Sequence, residues 1–166
     1  MSSLLGNLKN LASPATLRST WGVLRSVPGG GRIMGRVLGQ LAPYTGTVRP
    51  EVVSLDRGYA KLRIRDTRRV RNHLNSVHAI ALINLAEATT GVAMMYSLPD
   101  DARGIPNNLA IEYFKKARGP ITAECVCDAP ETVTGNLEQT VTAELKNEAG
   151  ELVARMSARW VIGPRS

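Results

Sequence analysis

The chain has 166 residues, a length suited to one domain with a real core, and its 43% hydrophobic content separates it from disordered sequences. Aromatic residues supply only 4%, so that core has to be aliphatic. A net charge of +7 and a pI near 9.9 exclude an acidic chain and invite a polyanionic partner: nucleic acid, a membrane surface or a phosphorylated cofactor. No nucleic-acid-binding motif accompanies the arginines, which makes nucleic acid the least favoured of the three.

The first fifty residues contain no acid, while Lys9, Arg18, Arg25, Arg32, Arg36 and Arg49 are basic. With the serines, this resembles a mitochondrial transit peptide. A pair of cationic helices capping the domain is the preferred reading, because apolar helical spacing continues to Leu41 without a cleavage-like break. Leu4, Leu5, Leu8 and Leu11 share one helical face. The stretch "SPATLRSTWGVL" reads as a Ser13 cap, Pro14 at the first helical position, then helix. "PGGG" at 28–31 interrupts it, and a short helix over about 32–41 groups Ile33, Val37, Leu38 and Leu41. Residues 1–44 are therefore expected to form a helical cap and 45–166 the main domain. Peripheral contact with an anionic membrane is the alternative use of such basic amphipathic helices.

From Val48 the period changes. "TVRPEVVSLD" and "GYAKLRIRD" are strand-like, with turn chemistry at Asp56-Arg57-Gly58. A basic loop leads into a long apolar helix over about 77–96, ended by "SLPDDARG". Further strands are expected at 105–117, 121–129, 137–146 and 151–162, the last two joined at "NEAG". No apolar run reaches membrane-spanning length free of polar interruption. A helix apolar on nearly every side has to be surrounded rather than covered on one face. Two strands, one such helix and four strands describe an α+β hotdog fold, a curved antiparallel sheet wrapped around a central helix, here with N-terminal capping helices.

Within that helix sits one acid, Glu87. One reading makes it a chemical group. The other places it on a narrow polar stripe with Asn84 and Thr90, at a solvent or subunit contact. Cys125 and Cys127 share a strand face without a Cys/His cluster to complete a metal site, so they read as small buried residues in a reducing, cytoplasmic setting.

"NHLNSVHAIALINLAEATTG" resembles the signature of hotdog thioesterases of the phenylacetate-degradation type: Asn, two residues, Gly, two residues, His-Gly-Gly, then Asp or Glu nine after the His. Asn72, Asn75, His78 and Glu87 fall on those positions, and "LAIEYFKKAR" at 109–118 is similar to the strand that follows the helix. The N-terminal helices resemble those of a bacterial branch known only as a domain of unknown function. The sequence departs at Asn75, which stands for the first glycine and is able to take a left-handed turn. It departs again at Ala79-Ile80, which replaces the glycine pair, and at Pro106, where some relatives place a water-holding serine beside what are here Asn107 and Asn108.

The resemblance implies an acyl-CoA thioesterase, with coenzyme A as part of the substrate and no other cofactor or metal. The Ala79 N–H at the helix start, with the Asn72 side chain, is the candidate oxyanion hole, and Glu87 the base or nucleophile. His78 is a helix-start residue or an acid-base group. Arg68, Arg69 and Arg71, or Lys115, Lys116 and Arg118, are the candidates for holding nucleotide phosphates. Nine helical residues separate His78 from Glu87 by about 13 Å, on opposite faces. One thioester cannot reach both in a single chain, so the site requires a homodimer, and pairing of dimers into a tetramer stays open. A non-catalytic acyl-thioester or fatty-acid binding module is the main alternative, ahead of a structural or nucleic-acid-associated role for the basic surface.

Overall fold

The computed structural model describes residues 13–165; the predicted Leu4-to-Leu11 face lies outside them. Helix α1 (Pro14–Leu24) begins as its sequence suggests: Ser13 Oγ accepts the Thr16 N–H and Pro14 takes the first turn. After a break through Gly29, at φ 76°, come α2 (Gly30–Leu41) and the single turn α3 (Pro43–Gly46). Strands β1 (Glu51–Asp56) and β2 (Tyr59–Ile64) form a hairpin. A 3-10 turn at Arg68–Val70 precedes α4 (Ala79–Ser97), followed by β3 (Ala102–Tyr113), β4 (Ile121–Val126), β5 (Leu137–Lys146) and β6 (Leu152–Pro164).

All six strands join one antiparallel sheet in the order β1-β2-β4-β5-β6-β3. It curves around α4, which touches every strand. Twelve of the nineteen α4 residues are buried, polar ones included. Two of the buried hydroxyls are met within the helix: Thr89 Oγ1 donates to the Leu85 carbonyl and Ser97 Oγ to that of Ala93, both at 2.7 Å. By length and composition α4 could cross a bilayer, yet here it is the core of the sheet. This is the hotdog architecture expected from the element order.

The helices before β1 close what the sheet leaves open. Met34 of α2 is fully buried in the common core. Trp21 Nε1 donates to the Leu55 carbonyl at 2.9 Å, fastening α1 to β1. Arg18 caps the far end of α4, donating to the Tyr96 and Leu98 carbonyls at 3.0 and 3.1 Å and pairing with Asp100.

Strand β3 is a sheet edge with a register shift between Pro106 and Asn108. The shift reverses which residues face α4. Before it, Gly104 and Pro106 stand opposite the buried Ile162 and Trp160; after it, Leu109, Ile111 and Tyr113 stand opposite the buried Ala158, Met156 and Ala154. The predicted strand at 105–117 therefore starts three residues earlier and ends four earlier. At Lys115–Arg118 the chain has already left the sheet.

Candidate active site

Glu87 occupies the middle of α4, half-buried, and its carboxyl has no hydrogen-bond partner among the described residues. It lines a cavity of about 280 Å³ between α4 and the N-terminal helices, whose other walls include Leu17, Leu38, Leu41, Val92 and Met95. Burial among these apolar groups pushes the Glu87 carboxyl above the usual carboxylate range. The floor is held open by Gly91 and Gly104 over the Trp160 indole. A Cβ at Gly91 would lie 3.1 Å from Trp160 Cη2 and 4.0 Å from Glu87 Oε1.

Asn84 and Thr90 do not make a solvent-facing stripe with Glu87. Both are buried: Asn84 Nδ2 donates to the Tyr44 carbonyl at 2.9 Å and Thr90 Oγ1 to that of Glu87 at 3.0 Å. Tyr44 of α3 covers Asn84, and Leu38 and Leu41 of α2 with Thr45 close the cavity beside Glu87. The reason is compositional: Leu38, Leu41 and Thr45 give the cap an underside able to pack on α4.

At the start of α4, His78 is the N-cap and its Nδ1 accepts the Ile80 N–H at 3.0 Å. The ring is exposed and serves the helix. The Ala79 N–H, one position before, has no acceptor among the described residues, as an oxyanion donor requires. Asn75 takes φ 53°, the left-handed turn that the missing glycine demands. Asn72 fixes this loop. Its Oδ1 accepts from the Leu74 N–H, the Ser76 N–H and the Ser76 hydroxyl at 3.0–3.3 Å, leaving only its Nδ2 to face a ligand.

The two basic segments come together. Val77 N–H donates to the Ala117 carbonyl, and Asp66 accepts from Arg71 Nε at 2.6 Å and from the Gly119 N–H at 2.9 Å. Asp66 was not legible as a site residue, since a lone Asp before a basic loop carries no signal of its partner fifty residues on. Arg71 is thereby committed, also donating to Asn75 Oδ1, and Lys115 pairs with Glu151 at 2.6 Å. Arg68, Arg69, Lys116 and Arg118 remain exposed and without a carboxylate partner among the described residues.

Three further groups were missed. Tyr113 donates from its hydroxyl to the Ala79 carbonyl at 3.1 Å, linking β3 to the helix start. Trp160 Nε1 is buried without a protein acceptor, as is Asn84 Oδ1 without a donor. Asn107, by contrast, faces away from α4 toward Glu138 and Arg159, so it cannot replace a serine at Pro106. Cys125 and Cys127 are free thiols, the first buried and the second half-buried.

Comparison with known proteins places these features. A structural-genomics target protein superposes with a TM-score of 0.75 at 30% identity, over 89% of this chain and 97% of its own. A Pseudomonas aeruginosa protein of unknown function gives 0.72 at 23% identity, covering 84% and 97% of the two chains. A thioesterase from Haemophilus influenzae gives 0.66 at 14% identity, covering 78% and 90%, which shows a shared fold. Among curated protein sequences nothing matches. Residues 30–162 match the family described as Domain of unknown function (DUF4442). A hotdog sheet around α4, preceded by helices that close over it, is thus the form this family takes here, and the chain belongs to DUF4442.

Proposed function

We propose that the protein hydrolyses acyl thioesters, with Glu87 as the base, at a site completed by a second copy of the chain. The observation that carries the reading is the Glu87 carboxyl itself: ionisable, unpartnered and set on the wall of an apolar cavity. A structural carboxylate in such a place would be expected to have a cation or a set of donors. An unpaired one with a raised pKa is suited to take a proton from water near neutral pH.

Water would lose its proton to Glu87 as its oxygen attacks the thioester carbon. The C–S bond then breaks, and the same carboxyl returns the proton to the departing thiolate. The developing oxyanion needs donors, for which the unpaired Ala79 N–H at the positive end of α4 is suited. Eight helical residues separate Ala79 from Glu87, about 12 Å along the axis, so the donor belongs to the partner's helix.

Strand β3 supports the pairing. It is one edge of the sheet, twelve residues long, and its outer side hydrogen-bonds to no strand among the described residues. Leu109 and Tyr113 face α4 yet are 38% and 46% exposed, and Ile105 on the other face is 59% exposed. A long apolar edge of this kind favours addition of a second sheet. Arg68 and Arg69, with Lys116 and Arg118 beside them, are the groups proposed to hold the phosphates of a coenzyme A carrier.

A non-catalytic acyl-thioester binding module is the second reading, favoured by Pro106, which offers no hydroxyl for a water at the register position of Trp160. Free-thiol release from acyl-CoA substrates of graded chain length separates the two. Turnover by the native chain and its loss in Glu87→Gln supports the hydrolase. Binding of the same ligands without turnover supports the module.

A further inference from the structure

A second concavity lies on the other side of α2. It encloses about 570 Å³, and Arg32, Arg36, Arg49, Arg63 and Arg65 line it with Glu51 as the one acid, a formal excess of four positive charges. Glu51 is shared: Arg63 reaches it at 3.1 Å and Arg32 at 3.6 Å. Arg36, Arg49 and Arg65 have no carboxylate partner among the described residues. Within α2, Arg36 points roughly 150° away from Leu38 and Leu41, and the two hollows share no lining residue, so this cleft and the Glu87 cavity are separate.

The cleft is built on close backbone contact. A Cβ at Gly35 would stand 1.7 Å from the Pro50 carbonyl oxygen, one at Gly31 2.1 Å from that of Val52, and one at Gly39 2.8 Å from Gly46 Cα. Glycine every fourth residue lets α2 lie directly on the segment entering β1, which fixes Arg32 and Arg36 opposite Arg63 and Arg65. Arg49 adds a backbone held at φ 52°, a region that bulky side chains seldom occupy. Five guanidinium groups lining one hollow that holds a single carboxylate repel one another, and a multiply charged anion relieves that repulsion.

We infer that this arginine cleft binds a compact ligand carrying two or more phosphate groups. Its volume is that of a nucleotide-sized site, and guanidinium forks match phosphate oxygens. The walls contain no aromatic side chain for a base to stack on, and the charge is gathered in one hollow instead of running as a stripe along which a nucleic acid could lie. The phosphates could belong to a free metabolite or to a lipid headgroup. The inference does not rest on thioester hydrolysis.

The test titrates the full chain with inorganic pyrophosphate and with adenosine diphosphate by calorimetry, and with phosphatidylcholine vesicles with or without a phosphoinositide bisphosphate. Two triple variants are compared: Arg36→Gln/Arg49→Gln/Arg65→Gln in the cleft, and Arg25→Gln/Arg103→Gln/Arg165→Gln, which removes the same charge elsewhere. The expected result is salt-sensitive binding weakened at least about tenfold by the cleft variant and less than about twofold by the other. Soluble anions bound in this pattern mark a free metabolite; phosphoinositide vesicles alone, with the same pattern, mark a headgroup. Equal losses in the two variants, or no binding of any of these by the native chain, would overturn the inference, as would tighter binding of a DNA duplex with equal losses.

Discussion

Asp66 and Glu87 are both half-buried acids near the ends of a single functional segment, and their surroundings differ in every respect. Asp66 accepts from Arg71 and from the Gly119 N–H, which together hold its carboxyl below the usual range against the opposing effect of burial. The Glu87 side chain faces leucines, a valine, a methionine and glycine, its carboxyl accepts nothing among the described residues, and burial alone holds it above that range. The same functional group thus acts as a clasp in one place and is left unsatisfied in the other. An acid that could have been paired and is not is the stronger sign of chemistry.

The largest expected effects probe the unsatisfied acid and its remote donor. Glu87→Gln should lower thioester turnover by about 10²-fold or more. Ala79→Pro removes the backbone donor at a helix position that tolerates proline, since His78 before it already has the extended ψ of 141°, and should lower kcat about 10²-fold. Mixing the two inactive variants then discriminates sharply. Subunit exchange should restore about a quarter of native activity, because half of the dimers would carry one intact site. No recovery after verified exchange would place both groups in one chain and contradict the shared site.

The clasp gives the next effect. Asp66→Asn should lower the melting temperature by about 5 °C at neutral pH, through loss of the charged acceptor for Arg71 and Gly119. The pH dependences of the two acids should have opposite signs. Asp66 has a lowered folded pKa, so its contribution is full above the unfolded value and disappears as pH falls through the folded one. Glu87 has a raised folded pKa, so the folded state keeps its proton longer, and stability falls as pH rises from the unfolded value through the folded one. Glu87→Gln should therefore raise the melting temperature at pH 8 and leave it nearly unchanged at pH 4. Melting curves across that range would show the comparison to be mistaken if the two variants shifted in parallel. His78→Ala should have the smallest effect, about 1 kcal/mol of stability from the lost cap, with turnover changed less than about fivefold.

Periodicity made the fold legible. The alternation of Ala60, Leu62 and Ile64 with Lys61, Arg63 and Arg65 placed β2, and the near absence of charged residues between Ala79 and Ser97 required a surrounding sheet, which is what the chain forms. The ends of β3 were not legible, because a register shift at Asn107 obeys strand pairing and leaves no mark in local composition. For the site, the spacing from Asn72 to Glu87 pointed to this segment, and Asn75 does take the left-handed turn. What sequence could not supply was long-range closure. Neither the cover that α3 places over Asn84, nor the reach of Asp66 to Gly119, is encoded in nearby residues. The same holds for the arginine cleft, whose members lie on α2, on β2 and on the chain flanking the first hairpin, and read in sequence only as scattered charge.

The most direct test of the account follows turnover of one well-accepted acyl-CoA across pH 5 to 9 for the native chain and for Glu87→Gln, by release of free thiol. The account predicts native activity that rises with pH through an apparent pKa above the ordinary glutamate value, and a variant that is slower by about 10²-fold or more with that ionisation gone. A variant within about threefold of the native rate, or one that keeps the same pH profile, would show that Glu87 is not the base.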